Sequence, residues 1–212
     1  MKSLINKSKI YSLLITSLLV FSISTISQAQ QFRALVISKT SGFRHQSIPE
    51  GVAAIKKLAE KHRFAVYATE DAGLVNDKNL EKYDVIIMMS TTGTIFKAEE
   101  RAAFERFVKS GKGVVGVHSA TDTEYDWPWY TKLIGGQFNH HPHQQTARIK
   151  VMNGDHPATY HLNDKWLWTD EWYEYKNFNT KVNVLLQLDE NSYDVGNRNG
   201  KKMGMGAVHP IS

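Results

Sequence analysis

Two hydrophobic periods alternate along this chain. The short apolar, β-branched runs Arg33-Ala34-Leu35-Val36-Ile37-Ser38, Phe64 to Thr69, Tyr83-Asp84-Val85-Ile86-Ile87-Met88-Met89 and Gly113-Val114-Val115-Gly116-Val117 predict four strands. The third is almost wholly apolar, as a strand covered on both faces must be. Between them the period lengthens. Ser47-Ile48-Pro49-Glu50 has capping-box spacing with Pro in the first turn, and Val52, Ile55, Leu58 and Ala59 share one face, which predicts a helix to about His62. Glu99 to Ser110 carries Ala103, Phe104, Phe107 and Val108 at helical spacing, with Gly111 as a left-handed stop. Strand, helix and strand in alternation predict an open α/β fold, a mostly parallel sheet with helices on both faces. Such sheets bind ligands beyond the carboxyl ends of their strands. The polar loops Lys39 to His45 and Ser90 to Thr94, and the chain from His118 onward, all fall on that edge. From Tyr125 the texture becomes Trp-rich and loop-rich, with strands expected at Thr146 to Val151 and Val182 to Leu188.

The N-terminus changes the picture of charge and place. Lys2, Lys7 and Lys9 precede the uncharged run Ile10 to Gln31, and Ser27-Gln28-Ala29 is a small-x-small cleavage pattern. Residues 1–29 therefore read as a signal peptide and residues 30–212 as one globular domain. The expected location is periplasmic or secreted, with no stable membrane span after cleavage, because Ser and Thr dilute the apolar run. The whole chain has 26 Lys and Arg against 21 Asp and Glu. Without the three leader lysines that is 23 against 21, interspersed along the sequence, so a nucleic-acid partner is set aside. The chain has no cysteine, which excludes disulfides, thiolate metal sites and every thiol nucleophile.

His118 is the sharpest chemical feature. It follows a buried strand in Gly116-Val117-His118-Ser119-Ala120, the small-x-nucleophile-x-small pattern of a tight strand-to-helix elbow. An imidazole there can act as a base or a metal ligand. The acids of Thr121-Asp122-Thr123-Glu124-Tyr125-Asp126 lack the Gly and closing Glu of a calcium loop. With the neighbouring Trp127 and Trp129 they suit either sugar binding or plain packing. Asn139-His140-His141-Pro142-His143, with His156 and His161 beyond it, is either a solvated cluster or a source of divalent-metal ligands. Asp170 and Glu171 sit inside an aromatic segment, where burial can tune a carboxyl group for proton transfer.

Several stretches together resemble the ThuA-like (trehalose utilisation) proteins of the class I glutamine-amidotransferase-like superfamily. They are Ser41-Gly42-Phe43-Arg44-His45, Ser90-Thr91-Thr92-Gly93, Gly116 to Asp122, Trp127-Pro128-Trp129-Tyr130, His141-Pro142, His156-Pro157, Asp170-Glu171-Trp172-Tyr173 and His209-Pro210. The resemblance runs from about Phe32 to His209 and implies a flavodoxin-like sheet. In true glutaminases a Cys holds the elbow; here His118 does, so thioester hydrolysis of glutamine is excluded. His209-Pro210 resembles the segment that supplies the amidotransferase triad His. Relatives are expected to continue with a further strand and helix, so the C-terminal end reads as truncated. The family's association with sugar catabolism implies a small sugar or 3-keto-glycoside as ligand. The expected catalytic residues are His118, Glu171 and His209. Arg44, His45, Asp122, Trp129 and Asp170 are expected to bind substrate. His118, His141 and Glu171 are the candidates for a divalent metal, the one cofactor these residues suggest. A non-catalytic sugar-binding module on the same fold is the alternative, and an interaction protein is a third reading; the oligomeric state is open.

Overall fold

A computed structural model describes residues 30–212. The expected signal peptide lies outside the described residues. Strands β1 (Arg33–Ile37), β2 (Ala65–Thr69), β3 (Val85–Met89) and β4 (Gly113–Val117) form one sheet in the order β2-β1-β3-β4, every pair parallel. The strand order reverses between β1 and β3, so the loops that follow β1, β3 and β4 emerge along one edge.

Helices α1 (Ile48–His62) and α3 (Ala98–Lys109) cover opposite faces, with the short α2 (Asp77–Leu80) beside α3. Ala34, Leu35, Val36 and Ile37 of β1 are all fully buried, the signature of a strand covered on both sides. One layer joins Leu35, Ile37, Ile86 and Met88 to Phe104 and Phe107 of α3. On the other, α1 lies so close that a side chain at Gly51 would collide with Met89. The capping box expected at Ser47 does not form: the Ser47 backbone is already helical and its side chain makes no cap bond. The first turn instead gains Pro49 and the acidic Glu50. α3 ends at Lys109, with Gly111 at φ 89° just beyond it.

After β4 come a 3-10 turn at His118–Asp122 and α4 (Pro128–Ile134). The rest is antiparallel. β5 (Gln137–His140) pairs with β8 (Glu174–Lys176), and β6 (Gln145–Val151) lies between β7 (Lys165–Asp170) and β9 (Leu186–Leu188). A small ribbon, β10 (Asn197–Arg198) with β11 (Lys201–Lys202), follows. The strand expected over Val182 to Leu188 shortens to β9, because the Val182 amide bonds back to the Asn179 carbonyl and turns the chain. β4 is the outer strand of the parallel sheet, with Val115 47% exposed. Among the described residues no helix is long and apolar enough to cross a membrane.

Candidate functional site

The three polar loops are zipped together in the order of their strands. Ser41 N donates to Thr92 O and Gly93 N to Asp122 O, each at 2.8 Å, so parallel pairing continues past the strand ends. His45 is thereby held beside the residue that leaves β4. That residue, His118, has φ 51°, a left-handed conformation that non-glycine residues rarely adopt. Gly116 makes the bend possible, since a Cβ there would lie 2.4 Å from Ile134 Cδ1 and 3.1 Å from Ala120 Cβ. The expected elbow is present and carries an imidazole.

Around it the rim closes from three directions. The His45 and His118 rings meet edge to face at 4.5 Å. From the β7–β8 connection Glu171 brings Oε2 to 3.4 Å from His118 Nε2 and 3.9 Å from His45 Nε2, and His141 Nε2 reaches the same oxygen at 3.9 Å. The Tyr173 hydroxyl stands among them, 3.1 Å from His118 Nε2, 3.4 Å from His45 Nε2 and 3.5 Å from Glu171 Oε2. Burial, helped by the neighbouring His45 and opposed by Asp170 and Glu171, holds the His118 imidazole below its ordinary range and so neutral at pH 7. Burial, then the charges of Glu171 and Asp122, push the Tyr173 phenol up, so it stays protonated. Neutral imidazole, neutral phenol and carboxylate can together move a proton or polarise a carbonyl group.

His118, Glu171 and Tyr173 line the polar end of a cavity of about 580 Å³, and His45 and His141 adjoin it through their contacts with Glu171. Asp170 and Glu171 line one wall, Trp166, Trp168 and Trp172 continue it, and Leu133 and Ile134 face them. That volume falls in the range of small-molecule sites.

Of the residues expected at the site, His118, His45, Glu171 and His141 come together, and Asp170 joins them on the cavity wall. Others are placed elsewhere. His209 is fully buried, with Nε2 2.9 Å from the Tyr173 carbonyl and Nδ1 2.8 Å from Glu190 Oε1. It braces Tyr173 from behind and does not face His118. Trp129 stacks on Trp127 at 5.2 Å and meets Phe104 edge-on, so it packs the core beneath α4 and offers no platform in the cavity. Arg44 turns outward into a two-bond pair with Glu70. Asp122 accepts from the Tyr125 hydroxyl and acts on Tyr173 only through its charge. Within the His-rich tract His141 alone turns to Glu171, and His156 and His161 lie exposed in the turn before β7.

The acids after His118 are structural. Glu124 is fully buried, accepts from the amides of Ile95 and Phe96 at 2.8 and 2.9 Å, and pairs with Arg101, which also holds Asp126. Tyr173 is the rim residue to which the sequence patterns assign no role. Its signal was spacing: two residues from Glu171 in an extended stretch, it shares that residue's side of the chain.

The fold and the rim together define a flavodoxin-like α/β protein whose strand ends present histidines and a carboxylate along one edge. The family profile described as ThuA, trehalose utilisation, matches residues 33–212, and the chain belongs to that family. A ThuA-like protein from Bacteroides uniformis has 27% identity and a TM-score of 0.73, covering 89% of this chain and 79% of its own. A second, from Parabacteroides merdae, shares the fold at 19% identity and a TM-score of 0.63, covering 76% and 71%. No curated protein matches the sequence.

Proposed function

We propose that this is an exported enzyme of sugar catabolism that acts on a small sugar or 3-keto-glycoside at the rim around His118. The observation that carries the reading is the convergence of His118, Glu171 and Tyr173 at the polar end of an aromatic-walled cavity, with His45 packed against all three. Aromatic walls suit the apolar face of a sugar ring, and the polar end suits its oxygens. A keto group makes the neighbouring C–H acidic. Loss of that proton to a carboxylate of the Asp170/Glu171 wall, formation of a double bond to the next carbon as its glycosidic C–O bond breaks, and return of the proton from the carboxyl group to the leaving oxygen give an unsaturated keto sugar and an alcohol by a route that requires no thiol. The Tyr173 hydroxyl and the imidazoles face the place where charge would gather on the keto oxygen. Export rests on the basic, apolar and small-x-small order of residues 1–29.

The test is incubation of the purified protein with a panel of ordinary and 3-keto disaccharides, followed by mass spectrometry. Products are expected from the keto sugars. Their loss in His118→Ala, with the melting temperature kept, assigns the chemistry to this rim. Saturable binding without product from any sugar would turn the reading into that of a binding module. N-terminal sequencing of protein recovered from the periplasm or medium is expected to begin at Gln30, and retention of residues 1–29 in the cytoplasm would reject export.

A further inference from the structure

Two imidazoles and one carboxylate oxygen meet on the rim at 3.4 to 3.9 Å, longer than a direct hydrogen bond and close to the spacing of donors around an ion, with a third imidazole, His141, 3.9 Å from the same oxygen. Ligand atoms of His45, His118 and Glu171, one from each, lie within 4.8 Å of one another. Donors bonded at the usual ~2.0 to 2.2 Å around a tetrahedral zinc ion stand about 3.3 to 3.6 Å apart. The His118–Glu171 separation of 3.4 Å already has that length, and the His45–Glu171 separation of 3.9 Å exceeds it by about half an ångström. The Tyr173 hydroxyl lies 3.1 to 3.5 Å from His118, His45 and Glu171, next to the space they enclose.

The outer nitrogens show which atoms are free to bind. His141 Nδ1 lies 2.7 Å from the Pro142 carbonyl oxygen, which can only accept, so Nδ1 carries the proton and Nε2 keeps its lone pair toward Glu171. His45 Nδ1 is turned to Ser119 Oγ at 3.3 Å, which leaves Nε2 on the inner side. Metal-bound histidines have this kind of orienting partner on the far nitrogen. The His45, His118, His141 and Glu171 side chains are 11 to 34% exposed, sheltered enough to be held and open enough to admit an ion and a ligand.

We propose that His45, His118 and Glu171 bind one divalent first-row transition-metal ion, with the Tyr173 hydroxyl beside the open fourth position and His141 facing the Glu171 carboxylate from the outer side. Imidazole-rich donors select zinc and its neighbours over magnesium and calcium, which take oxygen ligands. The inference deepens the reading above and rests on it for the substrate, though not for the ion. An ion here would hold the carbonyl or hydroxyl oxygen of a sugar. With Glu171 engaged, Asp170 on the same wall is the carboxylate left to take a proton.

The experiment uses the full chain, stripped with a chelator and dialysed, then titrated with Zn²⁺ by calorimetry and with Co²⁺ by visible absorption. One equivalent of each is expected, with the cobalt spectrum of a four-coordinate nitrogen and oxygen site. His118→Ala and Glu171→Gln should each weaken Zn²⁺ binding at least ~10-fold, a loss of the size seen even for groups that only support metal ligands. His161→Ala, in the exposed turn, should leave it unchanged. Circular dichroism checks that each variant is folded, and His45→Ala carries the test if His118→Ala is not. Well under one equivalent bound, or equal affinity in His118→Ala and Glu171→Gln, overturns the proposal. Stoichiometric Zn²⁺ without turnover of any sugar removes the proposed enzyme activity and leaves the metal site standing. Turnover by protein that takes up no Zn²⁺ does the reverse.

Discussion

The Tyr173 hydroxyl stands 3.1 Å from His118 Nε2, joining the β7–β8 connection to the elbow after β4. Its ring packs against Phe138 at 4.4 Å and His141 at 5.5 Å. Tyr173→Phe keeps those contacts and removes only the hydroxyl. We expect a stability change below about 1.5 kcal/mol by thermal denaturation, and a fall in kcat/KM on the keto-sugar substrate of at least ~10-fold. Unchanged kcat/KM would remove Tyr173 from the reaction.

Gly93 should be intolerant of any side chain. Its φ is 72°, and a Cβ would lie 3.0 Å from both Gly42 N and Ser41 C, which are backbone atoms unable to move aside alone. Gly93→Ala is expected to cost about 1 to 2 kcal/mol from the left-handed conformation alone, and more from the collision. Because the pushed segment leads to His45, activity should fall further than stability. Denaturant melts beside turnover measurements check this, and a variant equal to the parent in both would contradict the close approach.

Arginine pairs of two kinds can be compared directly. Arg101 neutralises the fully buried Glu124, so Arg101→Met leaves a carboxylate in the interior without its countercharge. About 3 kcal/mol of destabilisation is expected, partly restored in the double variant Arg101→Met/Glu124→Gln. Arg44 and Glu70 are about half exposed, and Arg44→Met should leave the melting temperature where it was. Equal effects at the two sites would show that burial does not set the difference.

Acid should loosen the antiparallel half through Asp189. Lys150, then the Asn191 amide and Arg148, hold its carboxyl below the usual range. In the unfolded chain Asp189 takes its proton near the ordinary value, about 4. The folded protein does so only at lower pH. Its contribution is therefore present above that value and lost as pH falls through it toward the folded one. Asp189→Asn should be less stable than the parent at pH 7 and should lose less on acidification. Equilibrium unfolding from neutral pH down to about 3 reads both. Parallel pH curves for the two proteins would reject the assignment.

The parallel half of the fold was legible because its signals are local. A short apolar run such as Val85 to Met89, bounded by polar residues, reads as a doubly covered strand, and Gly111 marks a stop within a residue or two of the end of α3. The elbow was legible for the same reason, since Gly116, His118 and Ala120 are neighbours in the chain. The antiparallel half depends on distant pairings, such as Ile149 with both Trp166 and Leu188, and no local period announces them. The site was readable where loops follow strands, at His45 and His118, and less so where side-chain direction decides. Arg44 and His45 are adjacent, yet one pairs with Glu70 and the other with the elbow. Trp129 and His209 illustrate the same limit: their residue types suit a pocket, but Phe104 and Glu190 occupy them in the interior.

The carbonyl that His209 grips belongs to the same residue whose hydroxyl meets His118. The His209 side chain is thus wired to the rim around His118 through a single tyrosine without lining the cavity itself, although Pro210, Ile211 and Ser212 beside it do. A search for activity-altering variants should accordingly return hits at Glu190, Tyr193 and His209, positions an observer watching only the cavity would have no reason to mutate.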